Sequence, residues 1–242
     1  MLIVSNYLLL LFGRLVKPSH GLYLFKKNLL GLFLVSFTAC VIIGCQTSLF
    51  DSSDGLVQPQ KSLDDVYRGL GIIEIVPLGS VRQSDLNAVE SGLRSFYGQQ
   101  VVIKKRKELS SDLRRTPQSR YSAKLILAKY KSNTQTVLVT SSDITIFNKD
   151  KNQDWGIFGY GHQPGRTCVL STSNQRLGKN VSEETKISRL RKVAIHEVGH
   201  NLGLPHCPSS GSCVMRAANG KGSQVDLCSE EFCTNCISLL LE

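Results

Sequence analysis

Residues 196–206 read His-Glu-Val-Gly-His-Asn-Leu-Gly-Leu-Pro-His, and no other run constrains the chain as tightly. His196 and His200 are four apart, so on a helix they stack on one face and can grip one metal ion. Glu197 stands beside that pair and can polarise a water held by the ion. Gly203 permits a sharp turn after the helix. The turn brings His206 round as third ligand and leaves a fourth position open, the layout of a catalytic zinc site. An isolated H-E-x-x-H is a weak signal, because paired histidines on an amphipathic helix are often only surface. Gly203 and His206 at matched spacing argue against coincidence, as do three of the chain's five histidines falling in one segment.

The first 45 residues read as an export signal. Lys26 and Lys27 form a positive region, and residues 29–43 form an apolar stretch, short for a membrane span. It ends in Ile42-Ile43-Gly44-Cys45, which resembles a bacterial lipobox: apolar at −3, small at −1, then the cysteine that takes the lipid. Cys45 is therefore expected to anchor an exported lipoprotein on the periplasmic or cell-surface side of the membrane. An uncleaved signal anchor is the alternative. Cys40 is a poorer lipid site, with Phe37 at its −3 position. Residues 1–25 carry a second short apolar run upstream of the signal, which puts the assigned start in question. Residues 46–62, rich in Ser, Asp and Gln, suit a tether between membrane and domain.

Formal net charge is +10, but Arg14, Lys17, Lys26 and Lys27 lie in the leader, which leaves +6 for the remainder. That is a modest field. Basic residues are not interleaved with the aromatics that stack on bases, so nucleic acid is not an expected partner. The run Lys104-Lys105-Arg106-Lys107 reads as a solvated strand end.

The domain is expected to span residues 63–242. Residues 71–77 read as a buried strand ended by Pro77. Ser84 is a candidate cap for a helix with Leu86, Val89, Leu93 and Phe96 on its apolar face. Residues 101–105 read as a second strand, and 110–117 as a loop. Tyr121, Leu125, Ile126 and Tyr130 recur at helical spacing. Residues 137–140 and 144–147 read as strand with an interruption. Residues 157–160 and 168–172 flank a Gly/Pro-rich connection, as in a hairpin. From about Ser182 a longer helix runs through Ile187, Leu190, Val193 and Ala194 into the histidines. This order predicts a mixed α/β (α+β) domain, a twisted sheet with helices packed on it. It also places the strand at 166–172 at the edge of the cleft, where a substrate could pair by strand addition.

Five of the eight cysteines follow the motif: Cys207, Cys213, Cys228, Cys233 and Cys236. Cys233 and Cys236 form a C-x-x-C knuckle, and Cys207 with Cys213 can supply a second pair. Two pairs of thiolates suit a closed tetrahedral zinc site that staples a loop-rich C-terminus. Disulfides, Cys207 with Cys213 and Cys233 with Cys236, are the competing account in an exported protein. Cys228 can stand in for a ligand or remain a free thiol.

Taken together, the three-histidine motif, the adjoining Cys207, the run Cys213-Val214-Met215 and the final Cys233-x-x-Cys236 resemble the archaemetzincins. These are a branch of the metzincin zinc metallopeptidases. The specific match covers residues 193–236. It departs in one place: five residues separate Cys207 from Cys213, where the family pattern has four. The resemblance implies a metzincin-like mixed sheet. It also implies a catalytic zinc on His196, His200 and His206, Glu197 as general base, and Met215 in a turn beneath the imidazoles. A second, structural zinc would sit on Cys207, Cys213, Cys233 and Cys236. The expected activity is hydrolysis of peptide bonds in a peptide or protein substrate. Two alternatives remain: a zinc-containing peptide-binding module without turnover, and a metal or redox module built on the cysteines.

Overall fold

A computed structural model describes residues 60–115, 119–209 and 211–242. The lipobox and Cys45 lie outside the described residues. The chain opens with α1 (Leu63–Arg68), then β1 (Ile73–Leu78), α2 (Gln83–Tyr97) and β2 (Val101–Ile103). A 3-10 turn at Ser111–Leu113 precedes β3 (Tyr121–Ser122) and α3 (Ala123–Lys129). Next come β4 (Thr136–Thr140), β5 (Ile144–Asn148), β6 (Gln153–Ile157), β7 (Gly159–Gly161) and β8 (Thr167–Ser171). The chain closes with α4 (Asn174–Leu177), α5 (Glu183–Asn201), α6 (Gly222–Asp226) and α7 (Thr234–Leu241). This is the mixed α/β architecture that the element order predicts.

The main sheet has the order β2-β1-β4-β8-β7; its first four strands run parallel and β7 runs antiparallel to β8. Alternation along the strands divides the core in two. Ile73, Ile75, Val137, Val139, Cys168 and Leu170 face α2 and α5, meeting Leu86, Val89, Leu93, Val193 and Val198. Val76, Leu78, Leu138 and Val169 face the other way, against Ile126 and Leu127 of α3 and Ile144 of β5. A small second sheet, β3-β5-β6, completes that side.

Four expectations are corrected. Residues 166–172 do not form the cleft edge: β8 is internal, paired to β4 on one side and to β7 on the other. The edge strand is β7, which folds back on β8 as the expected hairpin, with Gly159 opposite Leu170. Ser84 does not cap α2. The N-cap is Arg82, without a side-chain cap; its guanidinium bonds the buried carboxylate of Asp85 at 2.7 Å instead. The helical spacing from Tyr121 begins two residues late. Tyr121 and Ser122 pair with β5, and the Ser122 hydroxyl then accepts the Leu125 amide hydrogen as N-cap. Residues 137–140 and 144–147 belong to different sheets. Between them the carboxylate of Asp143 is held by Arg120 at 2.5 Å and Arg176 at 2.9 Å, which turns the chain out of the main sheet.

Candidate active site and cysteine cluster

Helix α5 begins as the sequence predicts, with the Ser182 hydroxyl accepting the Thr185 amide hydrogen and Glu183 and Glu184 in the first turn. Its other end stops at Asn201. Gly203 adopts φ +102°, a conformation that side chains resist, and the Leu204 amide bonds back to the Gly199 carbonyl. This reversal brings His206 beside the helix. The ring centroids of His196 and His200 are 4.6 Å apart, and His206 lies 5.3 and 5.0 Å from them. One nitrogen from each ring falls within 4.8 Å of the other two.

The tautomers follow from the partners. His196 Nδ1 donates to the Val214 carbonyl at 2.7 Å, and His200 Nδ1 donates to the Leu204 carbonyl at 2.7 Å. A carbonyl only accepts, so Nδ1 carries the hydrogen in both rings and Nε2 keeps its lone pair. Burial pushes His196 down to about 3, helped by the neighbouring His200, and burial also lowers His200 and His206. All three rings are therefore neutral near pH 7, the form that ligates metal. This donor set fits a zinc ion.

Glu197 is 4% exposed, and burial alone pushes its carboxyl up to about 8. Its Oε2 has no hydrogen-bond partner among the described residues. A buried carboxylate oxygen without a donor is costly, unless the group serves something brought from outside. The carboxylate lies against the edge strand: a Cβ on Gly159 would come within 2.5 Å of Glu197 Oε1. A Cβ on Gly161 would meet the Glu197 carbonyl oxygen at 2.8 Å. The two glycines let β7 and α5 approach backbone to backbone. The cleft above them has a volume of about 610 Å³ and is walled by Trp155, Ile157, Val193 and Ala218 besides the histidines.

Met215 is fully buried below the motif. A Cβ on Gly199 would strike its sulfur at 2.5 Å, so the thioether packs under the turn between His196 and His200.

Just past the triad, four thiols converge. Cys207 and Cys233 place their sulfurs 3.6 Å apart, Cys213 and Cys236 3.7 Å apart, and all four lie within 4.8 Å of one another. Disulfide sulfurs sit about 2.05 Å apart, so these are separate thiols. A tetrahedron with arms of about 2.3 Å has edges of about 3.8 Å, so the spacing fits a zinc ion bound by four sulfurs. None of the four is in a disulfide, neither Cys207 with Cys213 nor Cys233 with Cys236. The backbone amide of Cys236, bonding to the Cys233 sulfur, leads the effects that pull that thiol down to about 7. Cys228 stands apart, its thiol donating to the Gln224 carbonyl at 3.4 Å. His206 and Cys207 are consecutive, one in each donor group, and the Cys207 amide bonds the Met215 carbonyl at 2.8 Å.

The model of peptidase family M54 matches residues 87–242. The chain belongs to that family. An archaemetzincin from Archaeoglobus fulgidus is 32% identical over 166 residues, covering 69% of this chain and 96% of that protein. One from Halobacterium salinarum is 29% identical over 173 residues, covering 68% and 96%. Among solved structures, the A. fulgidus archaemetzincin complexed with malonate superposes with a TM-score of 0.59 at 31% identity, covering 69% of this chain and 98% of that one. The archaemetzincin of Methanopyrus kandleri gives 0.58 at 27%, covering 72% and 95%.

This M54 chain is a zinc metallopeptidase. Its histidines, Glu197 and Met215 come together where the motif spacing puts them. Gly159 and Gly161 escape the sequence reading, although glycines two apart on a strand share one face and can mark a close approach. Trp155, on the unforeseen strand β6, escapes it as well.

Proposed function

We propose that His196, His200 and His206 hold the catalytic zinc, and that Glu197 is the general base of peptide hydrolysis. When bound, zinc supplies a Lewis acid that polarises the scissile carbonyl and makes water more acidic. The outer edge of β7 is unpaired among the described residues, and an extended peptide can add there as a further strand. Gly159 and Gly161 keep that edge low beside Glu197. Glu197 then takes a proton from the attacking water and hands it to the departing amine. Burial raises its affinity for a proton in the metal-free protein, and the charge of a bound zinc would draw it back toward the ionised form that a base requires. The observation that carries this reading is the buried, unpartnered Glu197 carboxylate beside three neutral imidazoles with convergent nitrogens. Glu197→Ala is expected to keep zinc and to lose hydrolysis. Unchanged turnover in the zinc-loaded variant sinks the role.

The same proposal places a second zinc on Cys207, Cys213, Cys233 and Cys236, supported by their tetrahedral spacing. It also places the enzyme outside the cytoplasm, lipid-anchored through Cys45, supported by the lipobox. Cys45→Ala should then move the protein from the membrane fraction to the soluble fraction.

A further inference from the structure

Asn201 ends helix α5, immediately after His200, and none of the chemistry above uses it. Its side chain is 4% exposed and fully engaged. Nδ2 donates to the His162 carbonyl at 2.8 Å and to the Thr167 carbonyl at 3.2 Å. Oδ1 accepts from Gln135 Nε2 at 2.8 Å. Its own backbone carbonyl accepts the Gly165 amide hydrogen at 3.0 Å. Three places in the chain thus meet on one residue: the end of the active-site helix, the start of β4, and both arms of the β7–β8 hairpin.

The position is telling. His162 follows directly on Gly161, the last residue of the edge strand, and Gly161 rides over the Glu197 carbonyl. Asn201 Nδ2 lies 3.3 Å from where a Cβ on Gly161 would be. Gln135, itself 1% exposed, holds the amide in the orientation that turns both N–H groups toward the hairpin. The Gln163 side chain adds an outer tie, donating to the Gly203 carbonyl at 3.1 Å. A buried amide with all its groups matched is rigid, because any rotation leaves several groups unpaired.

From this we infer that Asn201, oriented by Gln135, is a positioning residue for substrate. It locks the edge strand β7 to the histidine-bearing end of α5, and so sets the distance between a peptide paired on β7 and the reacting centre. The inference rests on the proposal that substrate pairs along β7. A misplacement of about 1 Å at such an edge is enough to cost orders of magnitude in rate. The effect belongs to long substrates, which use the edge, more than to short ones, which do not reach along it.

The test uses the full chain and a quenched-fluorescent decapeptide chosen from a pooled library, together with its central tetrapeptide. Wild type is expected to prefer the decapeptide through a lower KM. In Asn201→Ala at wild-type zinc content, the decapeptide's advantage in kcat/KM is expected to shrink by about tenfold or more, with a fall in kcat for the decapeptide. Deuterium exchange at the His162 and Gly165 amides should quicken as well. Gln135→Met, which keeps the volume and removes the orienting donor, should show a smaller change of the same kind, and it carries the test if Asn201→Ala does not fold. A wild type that treats both peptides alike overturns the strand pairing and the inference with it. A variant that melts earlier but keeps the wild-type preference overturns the inference alone.

Discussion

Glu197 Oε1 lies under Gly159 so closely that a single added methyl carbon would fall 2.5 Å from it. The carboxylate occupies the space a side chain would take on any other residue. Gly159 has a backbone conformation open to all residues, since its φ is not among the positive ones. Gly159→Ala is therefore compatible with the strand and incompatible with the carboxylate. We expect zinc content to be kept and kcat/KM to fall by about 100-fold. An alanine variant with wild-type rates would show that Glu197 does not work from this position.

Glu197 also makes the metal-free protein sensitive to alkali. Its carboxyl rises from an ordinary 4.5 to about 8 on folding. Between those values the folded chain keeps a proton that the unfolded chain has released, so stability falls as pH rises. His196, pushed down to about 3, acts the other way: below about 6.5 the unfolded chain gains a proton, and stability falls as pH drops. Glu197→Gln removes the first effect only. In urea titrations of chelated protein, the variant's stability should gain on wild type by about 2 kcal/mol between pH 6.5 and 8. Parallel curves would refute this account.

The four-sulfur group should behave as one unit. If the four sulfurs hold a second zinc as proposed, Cys236→Ser is expected to lower bound zinc from two equivalents to one and to lower the unfolding temperature, because metal binding there would contribute folding free energy. In wild type, a chelator should make four thiols reactive together. Zinc content by elemental analysis and thiol counting by mass spectrometry read both effects.

Arg189 ties α5 to the C-terminal segment. It is buried, it bonds Asp226 through both oxygens, and it donates to the Leu177 carbonyl. Asp226 is partly exposed and can be rehydrated, whereas the Leu177 carbonyl is left without its donor. Arg189→Met should cost about 2 kcal/mol of stability, measured by urea unfolding.

The convergence of the two donor groups was legible because helix geometry translates a spacing of four into one face, and because C-x-x-C offers paired sulfurs in any fold. The start of α5 near Ser182 was legible, since the polar break before an apolar-periodic helix is local. The edge of the sheet was not. Whether β8 or β7 lies outermost depends on which strand pairs last, and Gly159 and Gly161 sit in a Gly-rich stretch that reads locally as connection. Asp143 shows the same limit: its hold on Arg120 and Arg176 sends β5 into another sheet, through partners 23 and 33 positions away in the chain. Asn201 carried no signal of its own inside a motif already explained by its histidines.

His206 and Cys207 have a consequence for metal choice. One peptide bond joins a nitrogen donor of the first site to a sulfur donor of the second. Thiolates select soft ions, and the ion's radius sets how far apart the sulfurs stand. A misfit ion among the sulfurs would drag Cys207, and His206 would follow it. If both groups hold zinc as proposed, a change of ion among the sulfurs would be felt by His206 through the single peptide bond that joins it to Cys207.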